Sequence, residues 1–356
     1  MKKIMIALPS LGGGGAEKNV VMIANYLANI ADVHIVCCYS NDGNKNLASV
    51  DRRVKVTFLG KKKIITSLPK LVSFIYDYKP GTIITTVAYF SLLFSLVIPL
   101  LPKKIKFICR ETNIPDVYGK QKSLAYRFLS SLIYRLFYRN YDTIICQSND
   151  MLNSIKRITK ISEDKLVKIN NPALIYKCEN KSLESPIQCA NGYLLAAGRL
   201  TYQKGFDLLI EEYMYSEFFT ANIPLFIAGT GPDYEKLQLV IDRLGLSKKI
   251  VLLGFRDDIT TLIYNARAFI LSSRYEGFPN VVLESLTLGC PVIARNCPGG
   301  LTEIIRESVN GFLYEDNFDD VSRKFMLENF DRDIIKHDVV ERFNQDALLS
   351  KYLELV

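Results

Sequence analysis

Residues 272–284 read S-S-R-Y-E-G-F-P-N-V-V-L-E and carry two glutamates, Glu276 and Glu284, eight positions apart. Gly277 and Pro279 disfavour regular helix around the first glutamate, so the sequence predicts a loop that holds its carboxylate. Two carboxylates in this setting can accept hydrogen bonds from hydroxyl-rich groups such as a sugar and a ribose. Solvated glutamates at an ordinary loop and helix cap are the alternative interpretation of this segment taken alone.

The second of these glutamates is predicted to lie on a short helix. Asn280 is a suitable N-cap for a helix over residues 281–288, and Gly289 ends the helical pattern. Glu284 then lies one turn into the helix. Because a helix N-terminus presents free backbone N–H groups, this end favours an anionic ligand such as a diphosphate.

The segment resembles the E-x7-E signature of retaining glycosyltransferases of family 4, which have two Rossmann-like domains in the GT-B fold. Five further blocks of the chain occur in the family's order. They read G-G-G-G-A-E at residues 12–17, G-R-L and K-G within 198–205, A-G-T-G-P at 228–232, V-L-L-G at 251–254, and E-I-I then N-G-F within 303–312. The resemblance covers most of the chain and implies an α/β GT-B fold, with two domains facing across a cleft.

Length and strand spacing also predict two domains, because 356 residues exceed the usual size of one core. Strands alternating with helices are predicted at 4–8, 33–38, 54–59, 82–86, 107–109, 143–147 and 165–170, then at 193–197, 225–228, 250–253, 268–272, 291–294 and 311–314. The predicted divisions are an acceptor-binding domain over 1–175, a linker over 176–190, a nucleotide-sugar-binding domain over 191–335, and a helical segment over 336–356. The resemblance implies that this last segment returns to the first domain.

The resemblance also implies roles for individual residues. Arg199 and Lys204 are assigned to the departing diphosphate of a UDP- or GDP-type sugar donor, since both cations suit phosphate oxygens. An exposed basic loop is the alternative for either cation alone. Glu276 is assigned to the hydroxyls of the donor sugar and Glu284 to the ribose. The other donor-binding residues implied are Gly13, Gly14, Gly229, Gly254, Phe255, Phe278, Pro279, Asn280, Gly299, Gly300 and Leu301.

The glycine loop at residues 12–15 lies between a predicted strand and a predicted helix, where backbone amides can approach a phosphate closely. It is a poor dinucleotide fingerprint, because Glu17 occupies the position of the third glycine. A tight structural turn is the alternative. This mismatch weighs against a dehydrogenase.

The sequence contains few residues that could support histidine or metal chemistry. The histidines are His34 and His337, and where relatives in the resembled family carry R-E-H-N this chain reads R-E-T-N, so Thr112 replaces a histidine. The carboxylate pairs at 257–258, 319–320 and 331/333 are predicted to be helix caps rather than metal ligands. The eight cysteines include no C-x-x-C, so neither a zinc site nor a disulfide framework is predicted. We predict no metal and no resident cofactor.

Charge divides the chain unequally. Residues 1–175 carry 26 Lys and Arg against 11 Asp and Glu, a net charge of +15, and the remainder has a net charge of −7. Such asymmetry indicates an anionic partner for the first half. Nucleic acid is disfavoured because no recognisable binding module is present, and an anionic membrane surface fits better.

Two segments of the first half bear on a membrane. Residues 123–141 place arginines between apolar side chains at helical spacing, which is typical either of a helix at a membrane surface or of one packed on the core. The apolar stretch 89–101 is too short to cross a bilayer. We therefore expect a cytoplasmic protein that is peripherally associated with the inner face of the plasma membrane.

The function that the resemblance implies is metal-independent, retaining transfer of a sugar from a nucleotide-sugar donor to an acceptor. The acceptor implied is a lipid-linked oligosaccharide in cell-surface polysaccharide biosynthesis. Two alternatives stay open: a GT-B-fold sugar-nucleotide epimerase, and a non-catalytic nucleotide-sugar-binding subunit.

Overall fold

The computed structural model describes residues 2–39, 45–118, 124–176 and 192–356. It divides into two compact units, one formed by Met1–Asn171 with Asp346–Val356 and the other by Pro172–Gln345. Within the described residues, one unit contains a seven-stranded sheet and the other a six-stranded sheet, and all the strand pairs in both are parallel. The α/β class expected from the sequence is confirmed.

The sheet of the first unit follows the spatial order β3-β2-β1-β4-β5-β6-β7. Its strands are β1 (Lys2–Leu8), β2 (Ala31–Cys37), β3 (Lys55–Phe58), β4 (Thr82–Thr86), β5 (Lys106–Arg110), β6 (Thr143–Cys146) and β7 (Leu166–Lys168). Residues 4–8 and 82–86 are buried throughout, as expected for central parallel strands covered by helices on both faces. The strand order reverses between β1 and β4, which places a crevice at their carboxyl ends.

Helices follow most of these strands. They are α1 (Gly15–Leu27), α2 (Ile64–Tyr78), α3 (Ala88–Ser95), α4 (Pro115–Tyr118), α5 (Leu124–Tyr138) and α6 (Asn149–Thr159). Short 3-10 turns occupy Lys45–Ser49, Ile98–Leu100 and Glu163–Lys165. The Ser148 hydroxyl caps α6 by accepting the Met151 amide. Within the described part of the chain, no helix combines the length and the apolar character needed to span a bilayer.

The predicted amphipathic helix at 123–141 corresponds to α5, and the side chains before residue 131 lie outside the described set. In its last turns, Tyr138 is fully buried in the core of the first unit, and so is Tyr141 just beyond the helix. Leu132 and Leu136 are 41% and 40% exposed. The end of α5 therefore packs one face on the core and leaves another on the surface.

The second unit repeats the pattern with the order β10-β9-β8-β11-β12-β13. Its strands are β8 (Leu194–Ala197), β9 (Leu225–Ala228), β10 (Ile250–Gly254), β11 (Ala268–Leu271), β12 (Val292–Arg295) and β13 (Gly311–Tyr314). Its helices are α7 (Phe206–Tyr213), α8 (Glu217–Thr220), α9 (Tyr234–Arg243), α10 (Ile259–Asn265), α11 (Asn280–Thr287), α12 (Leu301–Ile304), α13 (Phe318–Leu327) and α14 (Arg332–Arg342). The order reverses between β8 and β11, so the crevice of this unit lies at their carboxyl ends.

The C-terminal segment differs from the single helical stretch expected over 336–356. It forms α14 and then α15 (Gln345–Leu355), separated at Phe343, whose backbone leaves the helical region. The Asp331 carboxylate caps α14 by accepting two backbone amides. Residues 346–356 belong to the first unit, where the buried Arg110 donates from Nε to the Tyr352 hydroxyl at 3.2 Å.

Candidate active site

The carboxyl ends of β8 and β11 bring together two residues singled out from the sequence. Lys204 ends a 3-10 turn, Tyr202–Lys204, after β8, and Glu276 lies on the loop after β11. The Lys204 Nζ donates to Glu276 Oε1 at 2.6 Å, with side-chain exposures of 19% and 8%. The Ser273 hydroxyl donates to the same oxygen at 2.5 Å. A shielded ammonium and a shielded carboxylate therefore face each other at the switch point of the sheet.

Arg199, the other predicted cation, has a different environment. It is exposed just after β8. Its side chain forms no ion pair or hydrogen bond with any residue that the structure describes. The two predicted diphosphate ligands thus comprise a solvent-facing guanidinium and an ammonium held by a carboxylate.

A second ion pair fixes the turn that carries Lys204. Arg274 donates through two nitrogens to the Asp207 carboxylate, both at 2.8 Å, and its guanidinium stacks 3.9 Å from the centre of the Tyr202 ring. Burial alone raises the pKa of Asp207, but the hydrogen bonds and charge of Arg274 outweigh it and lower that pKa. Sequence reasoning missed this pair, because 67 positions separate its members.

The loop after β12 packs directly against Glu276. The Glu276 amide donates to the Pro298 carbonyl at 2.9 Å, and a Cβ on Gly299 would lie 2.6 Å from the Glu276 Cβ. Gly300 has φ +79° and precedes α12, a conformation that favours glycine. Only glycine at position 299 allows this close approach to the backbone and Cβ of Glu276, and the predicted contact of the loop with the donor sugar stays a prediction.

Glycines also join the carboxyl ends of β8, β9 and β10. Gly229 donates to the Gly254 carbonyl at 2.7 Å, and Gly198 donates to the Ala228 carbonyl at 3.0 Å. A Cβ on Gly229 would overlap the Gly198 carbonyl oxygen. The predicted positions Gly229 and Gly254 therefore lie side by side, where backbone packs on backbone.

Glu284 lies on α11, one turn from its start, as expected. The Tyr176 hydroxyl donates to Glu284 Oε1 at 2.8 Å. Burial, followed by the charge of Glu284, raises the pKa of Tyr176, so the phenol stays protonated and donates. No local pattern in the sequence indicated Tyr176, which falls at the start of the predicted linker.

The expected capping role of Asn280 is wrong. Pro279 occupies the N-cap position in an extended conformation, and Asn280 is the first helical residue. Proline fixes its own φ, and its carbonyl accepts the Val282 and Leu283 amides, so the helix begins without a side-chain cap. The N-terminus of α11 nevertheless follows the Glu276 loop, which keeps both glutamates in the same unit.

Three of the predicted apolar donor-binding residues differ in exposure. Phe255 is 58% exposed just after β10. Phe278 is buried with its ring 5.8 Å from that of Phe343, and Leu301 is fully buried. Phe255 can therefore present an aromatic face, whereas the other two side chains serve the core.

In the first unit, Gly13 and Gly14 connect β1 to α1. Gly14 is the N-cap of α1 and contributes no side-chain cap, and its carbonyl accepts the Lys18 amide at 3.1 Å. A Cβ on Gly14 would overlap the carboxylate of Glu17. Because that carboxylate is the far end of a flexible side chain and Gly14 has φ −78°, the position does not require glycine, and the loop leads from a central strand into a helix, as predicted.

The segment R-E-T-N at residues 110–113 follows β5 and contains a structural feature that sequence analysis missed. Glu111 is fully buried and accepts the Tyr138 phenol, the Thr112 amide at 2.8 Å and the Asn113 amide at 3.2 Å. Burial raises the pKa of Glu111, against these hydrogen bonds, which lower it. The carboxyl therefore fixes the loop in which Thr112 stands.

The carboxylate pairs proposed as caps behave differently from one another. Asp331 caps α14, but Asp258 pairs with Arg256 at 2.6 Å instead of capping α10, and Asn317 rather than either neighbouring aspartate caps α13. Among the described residues, no group of three or more His, Cys, Asp or Glu side chains is arranged to hold a metal ion. The six cysteines in the described ranges are buried and free of disulfides.

Known proteins are similar to this chain in sequence and in fold. Residues 13–173 match Glycosyltransferase Family 4, and residues 181–329 match Glycosyl transferases group 1. The N-acetylgalactosamine-N,N'-diacetylbacillosaminyl-diphospho-undecaprenol 4-alpha-N-acetylgalactosaminyltransferase of Campylobacter jejuni is 27% identical over 355 residues, covering 92% of this chain and 91% of that protein. The lipopolysaccharide core biosynthesis glycosyltransferase LpsE of Rhizobium meliloti is 24% identical and covers 72% of this chain and 80% of its own length.

Among solved structures, Anabaena Alr3699/HepE in complex with UDP-glucose matches with a TM-score of 0.78 at 18% identity, covering 100% of both chains. This likeness shows the fold. With two glycosyltransferase domains matched in succession along the sequence, the chain is a glycosyltransferase of the GT-B fold.

Proposed function

We propose that the chain is a retaining glycosyltransferase that moves a sugar from a UDP- or GDP-linked donor to a lipid-linked oligosaccharide in cell-surface polysaccharide biosynthesis. The contact between Lys204 and Glu276 carries this proposal, since it joins at 2.6 Å the cation assigned to the diphosphate and the carboxylate assigned to the sugar. One relative is named for a diphospho-undecaprenol-linked substrate, and one structural neighbour is in complex with UDP-glucose.

The donor binds to the second unit in this proposal. Arg199 and Lys204 bind the diphosphate, Glu276 accepts hydroxyls of the sugar, and Glu284 accepts those of the ribose. The backbone around Gly299 lies beside the sugar, and the exposed face of Phe255 borders the base. An ammonium has three donors, so Lys204 can keep its contact with Glu276 while it donates to a phosphate oxygen.

In the proposed transfer step, the bonds, the electron pair and the proton are all accounted for without a resident cofactor or a metal. The bond from the anomeric carbon to the diphosphate oxygen breaks, and its electron pair leaves with the diphosphate. The acceptor hydroxyl oxygen bonds to the same face of that carbon, and its proton passes to an oxygen of the departing diphosphate. Cations placed at the leaving group stabilise the charge that develops there, which lowers the barrier.

The acceptor binds to the first unit, whose sequence carries most of the positive charge. Residues 1–175 have a net charge of +15, which favours an anionic membrane surface. We infer that the protein works in the cytoplasm, peripherally bound at the inner face of the plasma membrane. A lipid-linked acceptor is present at that surface.

Transfer is tested by incubating the full chain with individual UDP- and GDP-sugars and a lipid-linked oligosaccharide, then weighing the acceptor by mass spectrometry. Thermal-shift measurements with the same donors select those that bind. We expect a gain of one sugar residue with one donor, and retention of its anomeric configuration by NMR. Conversion of the donor without an acceptor indicates an epimerase instead, and donor binding without any turnover indicates a binding subunit.

A further inference from the structure

A cationic cleft lies in the first unit, away from the crevice of its sheet. The end of α5 and the turn between α6 and β7 line a cleft of about 280 Å³. Because α5 ends before β6 begins, and α6 ends before β7 begins, the cleft lies at the amino ends of the strands. The glycine loop and the R-E-T-N segment lie at the opposite, carboxyl edge, so this cleft is distinct from the candidate active site.

The cleft concentrates positive charge that no described carboxylate neutralises. Arg135, Arg139 and Lys160 line it, are exposed, and form no ion pair with any residue that the structure describes. Lys165 also lines it and donates to the Arg139 and Tyr141 carbonyls at 3.2 and 2.9 Å, which fixes the end of α5. Glu163, on the turn before β7, pairs with Lys156, which is not among the residues lining the cleft. Three unpaired cations around one cleft favour an anion with several oxygen acceptors, such as a phosphate group.

Apolar side chains border this charge. Leu136 lines the cleft, and Leu132 lies one turn before it on α5, with exposures of 40% and 41%. Positions three and four apart share a helix face, so these leucines neighbour Arg135 and Arg139. A soluble phosphate ion requires no apolar border, whereas a phospholipid offers a phosphate and an apolar boundary together. The combination therefore favours a lipid headgroup.

We propose that this cleft binds the phosphate of an anionic phospholipid, with Leu132 and Leu136 entering the boundary between headgroups and acyl chains. The inference refines the membrane association in the proposed function and is independent of the transfer chemistry. Since α5 follows β5 and precedes β6, it runs from the carboxyl edge of the sheet to the amino edge. Its 15 residues span about 22 Å, so a helix lying along the membrane reaches both edges.

The test compares two double variants that remove the same charge from the first unit. Arg135→Gln/Arg139→Gln changes the cleft, and Lys61→Gln/Lys62→Gln removes two exposed lysines that follow β3, at the other end of the sheet. The full chain is sedimented with phosphatidylcholine vesicles, with and without phosphatidylglycerol. One basic residue at an anionic leaflet is worth about fivefold in partitioning, so we expect the cleft variant to lose about 25-fold and the control at most about twofold.

Additional measurements distinguish a lipid phosphate from inorganic phosphate, and a failed membrane site from a failed enzyme assignment. Leu132→Ser/Leu136→Ser should also weaken vesicle binding, and all variants should keep the wild-type melting temperature and UDP affinity. Equal loss in the two charge variants, or unchanged binding in the cleft variant, would overturn the proposal. So would stabilisation by inorganic phosphate that depends on Arg135 and Arg139 while vesicles do not bind. Transfer to a water-soluble acceptor is measured in parallel, so that a failed membrane site is distinguished from a failed enzyme assignment.

Discussion

The carboxyl edge of each sheet holds a buried glutamate, and the two glutamates have different hydrogen-bond partners. Glu276, after β11, is 7% exposed and faces the Lys204 ammonium and the Ser273 hydroxyl. Glu111, after β5, is fully buried and accepts the phenol of Tyr138 and two backbone amides. One glutamate belongs to an ion pair, and the other to a hydrogen-bonded loop.

These partners indicate different roles, a chemical role for Glu276 and a structural role for Glu111. A cation that a carboxylate holds in place remains available to a charged ligand, whereas a carboxyl that binds its own backbone orders the chain around it. Burial raises the pKa of Glu111, which favours its neutral form and suits an architectural role. Residue type alone does not distinguish the two glutamates, whereas the E-x7-E spacing singled out Glu276.

The largest expected effect comes from breaking the ion pair on its cationic side. Lys204→Ala removes a donor aimed at the developing charge of the diphosphate, so we expect turnover to fall about 100-fold. Steady-state kinetics measure the loss, and Lys236→Ala, at an exposed lysine on α9, is the matched control. Wild-type turnover in a folded Lys204→Ala protein would remove Lys204 from the site.

The next effect separates the two glutamates of the second unit. Glu284→Ala should weaken nucleotide binding about tenfold, because a charged acceptor for the ribose hydroxyls is lost. Calorimetric titration with UDP or GDP measures the affinity, and Glu235→Ala on α9 serves as the control, since Glu235 is exposed in the same unit. Unchanged nucleotide affinity in Glu284→Ala would contradict the ribose role.

A smaller effect is expected where a residue positions Glu284 without binding the donor itself. Tyr176→Phe removes only the hydroxyl that donates to Glu284 Oε1, so nucleotide affinity should fall about threefold. Tyr215→Phe, at a side chain that is 75% exposed, is the matched control. Combining Tyr176→Phe with Glu284→Ala should add no further loss, and additive losses would show that Tyr176 acts separately.

The sequence predicted the sheet and the backbone features of the site because these leave local signals. Buried apolar runs located the strands, and glycines located the loops where backbone approaches backbone, as at Gly229 and Gly299. The Asn280 cap was wrong because the general preference for asparagine gave way to a proline that starts the helix with its own carbonyl.

Contacts between side chains that lie far apart in the sequence could not be predicted from it. Tyr176 and Glu284 lie 108 positions apart, and Arg274 and Asp207 lie 67 apart, so no window of sequence contains either pair. Glu111 and Tyr138 lie 27 positions apart and meet only where the end of α5 approaches the loop after β5. Such contacts depend on how the elements fold together, and they decide which predicted carboxylate faces a cation.

The most direct test measures turnover and melting temperature side by side in Glu276→Ala and Glu111→Ala. Glu276→Ala should lose at least about tenfold in turnover, and its melting temperature should fall less than that of Glu111→Ala, since the Lys204 side chain is 19% exposed and keeps some contact with water. Glu111→Ala leaves the buried Tyr138 phenol and two loop amides without their acceptor and should melt at least about 5 °C lower, an unfolding free energy lower by about 2 kcal/mol or more. Wild-type turnover in a folded Glu276→Ala protein, or an unchanged melting temperature in Glu111→Ala, would contradict the division of roles between the two edges.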